Sequence, residues 1–191
     1  GFDRVTGGIV WTPFSLLPTG LGRARVHLGT NMPDASVLAL PEPDRELLMR
    51  RMRRMGRNAQ TLAERLDEHL TGRTKGSVAH VVYPGLPSHS SAPWAKERWF
   101  HGSTLVLAFR TGFRTVARYQ AFVNRVIDLA RNARVDLVSG TSFGLDVTRV
   151  YLTAVHATDV TRPFVRVSVG TETAAEIEAL TDVFISAIDS L

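Results

Sequence analysis

From Leu48 to Leu70 the apolar residues Leu48, Met52, Met55, Ala59, Leu62, Leu66 and Leu70 recur at spacings of three and four. On a helix of about 3.6 residues per turn this is one continuous stripe. Asp44 is placed to cap such a helix and Thr71-Gly72 to stop it, so the pattern predicts a helix over 44–71. At a rise of about 1.5 Å per residue it runs about 40 Å, enough to bridge two lobes.

After this helix the periodicity changes. Val78 to Tyr83 reads as a strand ended by Pro84-Gly85, and Thr104 to Phe109 as a buried strand. A second amphipathic helix buries Val116, Tyr119, Val123, Val126, Ile127 and Ala130. Short strands are expected at Asp136–Val138 and Val147–Leu152, around a Gly140–Gly144 turn, and a last strand at Phe164–Val169. Thr173 and Glu176 are spaced as a capping box before a final helix that buries Ile177, Leu180, Phe184 and Ile188. Three or four strands packed on helices make one small two-layer α+β domain over 72–191. Residues 1–43 are rich in Gly, Pro and Thr, with one strand-like run at Gly8–Trp11; they read as the end of something larger.

With 44% hydrophobic and 21% charged residues, the composition is that of a core-forming chain rather than a disordered one. No run approaches the ~20 apolar residues of a membrane span. The absence of cysteine excludes disulfides, thiolate chemistry and thiolate metal ligation, and it fits a reducing cytoplasm, the location expected. The net charge of +5 raises the question of nucleic acid. Only Lys75 and Lys96 among the 23 basic residues are lysines, a bias that reads as genome composition. The densest cluster, Arg50-Arg51-Met52-Arg53-Arg54, has no aromatic residues interleaved and reads as a solvated or interdomain face. Neither a nucleic-acid nor a membrane partner is expected.

Among local motifs, Tyr83-Pro84-Gly85-Leu86-Pro87 is first a strand terminator, since two prolines and a glycine fix the chain where it leaves a sheet. In Val165-Arg166-Val167-Ser168-Val169-Gly170 the side chains alternate, so Arg166 and Ser168 share the face opposite the valines. The six histidines show no metal-ligand spacing, and no Ser-His-acid triad is evident. No metal and no serine nucleophile are assigned.

In their order along the chain these motifs resemble the C-terminal half of the Cys/Met-metabolism family of pyridoxal-phosphate (PLP) enzymes, of fold type I. The matching pieces are Thr6–Val10, the helix with Arg51-Met52 and Asn58-Ala59, the Tyr83–His89 string, Arg166–Gly170 and the final helix. The resemblance runs from about Gly7 to Leu191. It implies the end of a PLP-binding large domain at 1–43, a linker helix at 44–71 and the small C-terminal domain at 72–191.

The resemblance also implies roles. Arg166 holds the position that binds the substrate α-carboxylate, and the planar fork of a guanidinium suits a carboxylate as an ammonium does not. Ser142, in Ser142-Phe143-Gly144, matches a residue that helps hold the same carboxylate. Leu145 and Val147 depart from the family pattern, Thr148 retains its hydroxyl, and the usual His-Pro segment is missing, replaced by Tyr151-Leu152-Thr153-Ala154-Val155. Lys75 and Lys96 match no cofactor position and read as solvated. The Schiff-base lysine is expected just before Gly1, so this chain carries no catalytic residue of its own. The implied activity is PLP-dependent C–S bond cleavage in cysteine or a related sulfur amino acid, by β- or γ-elimination. A cystathionine γ-synthase-type replacement enzyme and a non-catalytic, degenerate module of a larger protein are the alternatives. The partners implied are the N-terminal PLP-binding segment of the same protein, the amino-acid substrate, and further copies in a homodimer or homotetramer.

Overall fold

The computed structural model falls into two units, Gly1–Asp44 and Arg45–Leu191. It describes residues 27–29, 32–40, 42, 44–141, 146–153 and 163–190. In the first unit a short helix, α1, spans Asp34–Leu38. The strand expected at Gly8–Trp11 lies outside the described residues.

The second unit opens with the long helix predicted from the apolar stripe, α2, Arg45–Leu70. Its buried residues are Met55, Ala59, Leu62, Ala63, Leu66 and Leu70. The stripe therefore sinks into the core only from Met55 onward, and Leu48 remains 57% exposed. The reason is length. Strands of five or six residues span roughly 17–20 Å, half the run of a helix of 26 residues.

Five strands follow rather than three or four: β1 Val78–Val82, β2 Thr104–Phe109, β3 Val138–Ser139, β4 Arg149–Thr153 and β5 Phe164–Ser168. They are ordered β1-β2-β5-β4-β3, antiparallel except for the β3–β4 pair. The short strand expected at Asp136–Val138 forms as the two-residue β3, shifted to Val138–Ser139, which pairs parallel to β4. Strand β4 starts at Arg149, not Val147, because the Thr148 N–H donates to the buried Glu172 carboxylate. The helices of this unit are α2, a single turn α3 at Ala92–Ala95, α4 at Val116–Ala133 and α5 at Ala174–Asp189.

Alternation along the strands builds the core. Leu105, Val167 and Val150 lie in one cross-strand row and Leu107, Val165 and Leu152 in the next. All six are at most 6% exposed, packed in one cluster with Leu62, Leu66, Phe122, Val126, Leu180 and Phe184 of the helices. The capping box at α5 forms as the spacing predicted. The Thr173 hydroxyl accepts from the Glu176 N–H at 3.3 Å, and the Glu176 carboxylate accepts from the Thr173 N–H at 2.6 Å. Those bonds from Thr173, its backbone N–H foremost, hold the Glu176 carboxyl below its usual range.

The Tyr83–Pro87 string does structural work. Tyr83 is fully buried, and its hydroxyl donates to the Gly102 carbonyl at 3.0 Å. Burial, with the Glu64 carboxylate adding to it, pushes the phenol up to about 12. Gly85 packs so closely that a Cβ there would stand 1.9 Å from the Gln60 side-chain oxygen and 2.7 Å from the Tyr83 ring.

At the other end of α2, His69 Nε2 and Arg73 Nη1 lie 2.8 and 2.7 Å from Asp189 Oδ1, tying α2 to the last turn of α5. The hydrogen bond from His69, then the two positive groups, holds the Asp189 carboxyl below its ordinary value against partial burial. A carboxyl lowered by folding stabilises the fold above the unfolded value of about 3.9, and that share is lost as pH falls through the folded pKa. Acid unfolding of Asp189→Asn is therefore expected to show a shallower loss of stability below about pH 4 than the parent. Parallel stability–pH curves for the two proteins, from melts between about pH 5 and 2, would assign the acid lability to other carboxyls.

Candidate functional site

Three helices cover one face of the sheet; the other face holds the partly exposed positions. Val82, Val106, Arg166 and Tyr151 form one cross-strand row there, and Thr104, Ser168 and Arg149 form the next. All but Ser168 are only half-buried; Ser168 is 5% exposed.

Arg166 sits in the middle of β5, between β2 and β4, on this partly exposed face. The alternation read from the sequence is met, since Val165 and Val167 are fully buried beneath the helices. The Arg166 guanidinium lies over the Tyr151 ring, 5.1 Å from its centroid. A ring face attracts a cation and restricts the long side chain, a contact worth about 0.5–1 kcal/mol at a partly exposed position. The Tyr151 hydroxyl in turn donates to Thr153 Oγ1 at 3.0 Å. Arg149 is the diagonal neighbour of Arg166 on the same face, giving the surface a second cation.

The ends of β4 and β5 are locked together. The Gly170 N–H donates to the buried Thr148 hydroxyl at 3.1 Å, and the Thr171 N–H to the Asp146 carbonyl at 2.9 Å. A Cβ on Gly170 would stand 2.3 Å from the Asp146 carbonyl oxygen, so the two segments touch backbone to backbone. The long helix grips both. Arg51 Nη1 meets Asp146 Oδ1 at 2.6 Å, Arg54 Nε donates to the Glu172 carbonyl at 3.1 Å, and Asn58 Nδ2 donates to the carbonyls of Gly170 and Glu172 at 3.2 and 2.9 Å. Partial burial alone would raise the Asp146 carboxyl, but the hydrogen bonds from Thr171 and Arg51 outweigh it and hold it below its usual range.

Of the residues singled out in the sequence, Arg166 is placed on the open face and Ser142 lies outside the described residues. Lys75 and Lys96 are both exposed, on the turn after α2 and just past α3. Among the described residues no group of three His, Asp or Glu side chains is arranged to hold a metal ion. Tyr151 and Arg149 escaped the sequence reading, although their alternate positions in β4 repeat the period-two signal that picked out Arg166. Arg51, Arg54 and Asn58 fall at i, i+3 and i+7; the sequence marks Arg51 and Arg54 only as part of a solvated or interdomain cluster, and Arg51 and Asn58 only as positions of the family-like helix.

The arrangement presents a guanidinium held over an aromatic ring on the partly exposed face of the sheet. The unit also has relatives of known structure. It is similar to cystathionine γ-lyase from Lactobacillus plantarum complexed with L-serine, at 18% identity and a TM-score of 0.59, covering 88% of this chain and 42% of that one. The methionine γ-lyase CalE6 from Micromonospora echinospora matches at 21% identity and a TM-score of 0.59, over 87% of this chain and 39% of the other. Cystathionine γ-synthase from Xanthomonas oryzae pv. oryzae matches at 21% and 0.57, over 86% and 41%. At these identities the likeness establishes the fold, that of part of a fold type I PLP enzyme, and the chain spans about two-fifths of each relative's length. No curated protein sequence matches. Among the described residues no helix is long and apolar enough to cross a membrane. The profile of the Cys/Met metabolism PLP-dependent enzymes matches residues 29–183, most of the sequence, and the chain belongs to that family.

Proposed function

We propose that this chain is the C-terminal part of a PLP-dependent C–S lyase acting on cysteine or a related sulfur amino acid, and that it supplies the site for the substrate carboxylate. In this reading residues 1–43 end the PLP-binding domain, 44–71 link it to the small domain, and 72–191 form that domain. The observation that carries the reading is Arg166, a guanidinium held over an aromatic ring on the partly exposed face of the sheet.

The chemistry follows from what such a group does. Two parallel N–H donors meet both carboxylate oxygens, fixing position and rotation together. With the carboxylate pinned, the remaining bonds of Cα are held in set directions, and the proton at Cα leaves along one path. Orientation of this kind contributes several kcal/mol to lowering a barrier. PLP, when bound, supplies the electron sink that stabilises the charge left at Cα. Ser142 is assigned to the same carboxylate, and the lysine that carries the cofactor to the segment before Gly1.

The departures around Phe143–Thr148 favour a second reading, a degenerate module that packs against the rest of the protein without catalysis. One experiment separates the two. The complete protein is loaded with PLP and given S-alkylcysteine or homocysteine derivatives, while the visible cofactor band, released thiol and 2-oxo acid are followed. Equal amounts of thiol and 2-oxo acid support elimination. With an O-acylhomoserine and added cysteine supplied instead, consumption of the thiol with a new thioether and release of the acyl carboxylate indicates the replacement enzyme, and a protein that binds no cofactor indicates the module. Sedimentation of the same sample tests the expected homodimer or homotetramer.

A further inference from the structure

The chain enters this unit through α2, and one face of that helix, at residues 51, 54 and 58, takes hold of the two segments that flank the β4–β5 pair. These are Asp146–Thr148, which leads into β4 and so to Tyr151, and Gly170–Glu172, which follows β5 and so Arg166. The grip is reciprocal. Asp146 accepts from Arg51 of the helix and from the Thr171 hydroxyl at 2.7 Å. Asn58 meets two carbonyls with one amide nitrogen, and Gly170 admits no side chain between the segments.

We propose that Arg51, Asn58 and Asp146 are positioning residues for substrate binding: they set where the Arg166–Tyr151 row stands along α2, and so where a bound carboxylate is held. This rests on the assignment of Arg166 to the substrate carboxylate. Sheet pairing already fixes Arg166 against Tyr151 through their direct register. What pairing leaves open is the placement of that row relative to the helix, and the core contacts of α2 do not settle it. They are aliphatic and begin at Met55, so their non-directional packing tolerates small slides that directed hydrogen bonds do not. Directed bonds tie α2 to the turn after β1 through Gln60 and the Gly85 carbonyl, and to α5 through Asp189; at the β4–β5 end the direction comes from the polar clamp at residues 51–58. The linked groups do not touch the substrate; they act through the backbone on either side of Arg166.

The distinguishing readout is selectivity for the carboxylate. In the complete enzyme, kcat/KM is measured for the amino-acid substrate and for its carboxamide analogue, in the parent, Arg51→Met, Asn58→Leu, Arg51→Lys and Arg166→Ala. The parent is expected to prefer the acid, and Arg166→Ala to abolish the preference. Arg51→Met and Asn58→Leu are each expected to lose roughly tenfold of that preference through KM, with kcat within about twofold, and Arg51→Lys to recover part of it. A clamp that serves folding alone would lower turnover of both substrates equally, leave the ratio unchanged and overturn the proposal. If Arg166→Ala keeps the parent's preference, the carboxylate assignment itself has failed and the clamp falls with it. If Arg166→Ala loses the preference while Arg51→Met and Asn58→Leu keep it, only the clamp is rejected.

Discussion

Phe109→Ala is expected to cost about 3–5 kcal/mol of folding stability, the largest loss from a single truncation argued for this unit. Phe109 ends β2 on the core face and is 2% exposed. Its ring meets the edge of Tyr119 at a centroid distance of 4.7 Å and 72°, and that of Phe122 at 5.5 Å and 89°. Those two residues are one turn apart on α4, so this one ring seats the N-terminal half of the helix on the sheet. Edge-to-face pairs add about 0.5–1.5 kcal/mol each to the burial of apolar surface. The void left by alanine does not collapse readily. β2 is hydrogen-bonded on both sides, to β1 and β5, and α4 is pinned further along by Val126 and Ala130. Against a total of about 5–15 kcal/mol for an ordinary domain, the variant stays folded with little margin. Urea unfolding is expected to show a lower midpoint at an unchanged slope. A loss below about 1 kcal/mol would mean that α4 closes the gap by sliding, and that its seat is set elsewhere.

The architecture was legible because its signals are local. The spacing of Thr173 and Glu176 marks the start of α5, and Thr104–Phe109 is bounded correctly by its unbroken apolar run, although the structure buries only alternate residues of it. The errors have a common origin in contacts distant along the chain. The start of β4 was placed early because Val147 and Thr148 are β-formers, whereas the Thr148 N–H and hydroxyl are committed to Glu172 and Gly170, more than twenty residues away. Leu48 was counted into the stripe because periodicity records which side a residue faces and not whether anything reaches it. The roles of Arg51, which reads as part of a solvated or interdomain face, and of Asn58, which reads only as part of the family-like helix, are hidden for the same reason. Their partners are carbonyls and a carboxylate about a hundred residues on, and no composition or spacing rule links them. Arg166 was found by a motif and by strand parity, but the ring beneath it was not, since only the strand register puts Tyr151 opposite.

Arg166→Ala is expected to raise KM for the amino-acid substrate in the complete enzyme by roughly 10- to 150-fold, the equivalent of about 1.5–3 kcal/mol for a charge-assisted hydrogen bond. The effect falls on KM because the carboxylate carries its charge before, during and after the reaction. A contact equally strong in the ground and transition states changes binding more than turnover. Lysine at this position is expected to restore little, although it keeps the charge. A single ammonium makes one directed contact where the guanidinium fork makes two, and it loses much of the stacking on the Tyr151 ring. Tyr151→Leu serves as the graded control. With the fork retained and only its support removed, KM is expected to rise by no more than about fivefold, in line with about 0.5–1 kcal/mol for a partly exposed cation–π contact. The order matters more than any one value: alanine worst, lysine close behind, and loss of the ring mildest. If lysine equals arginine, the site needs only positive potential, and the bidentate role fails. If alanine leaves KM unchanged, the substrate's acidic end is held by another group, and the open face of the sheet owes its arginine to contacts within the protein.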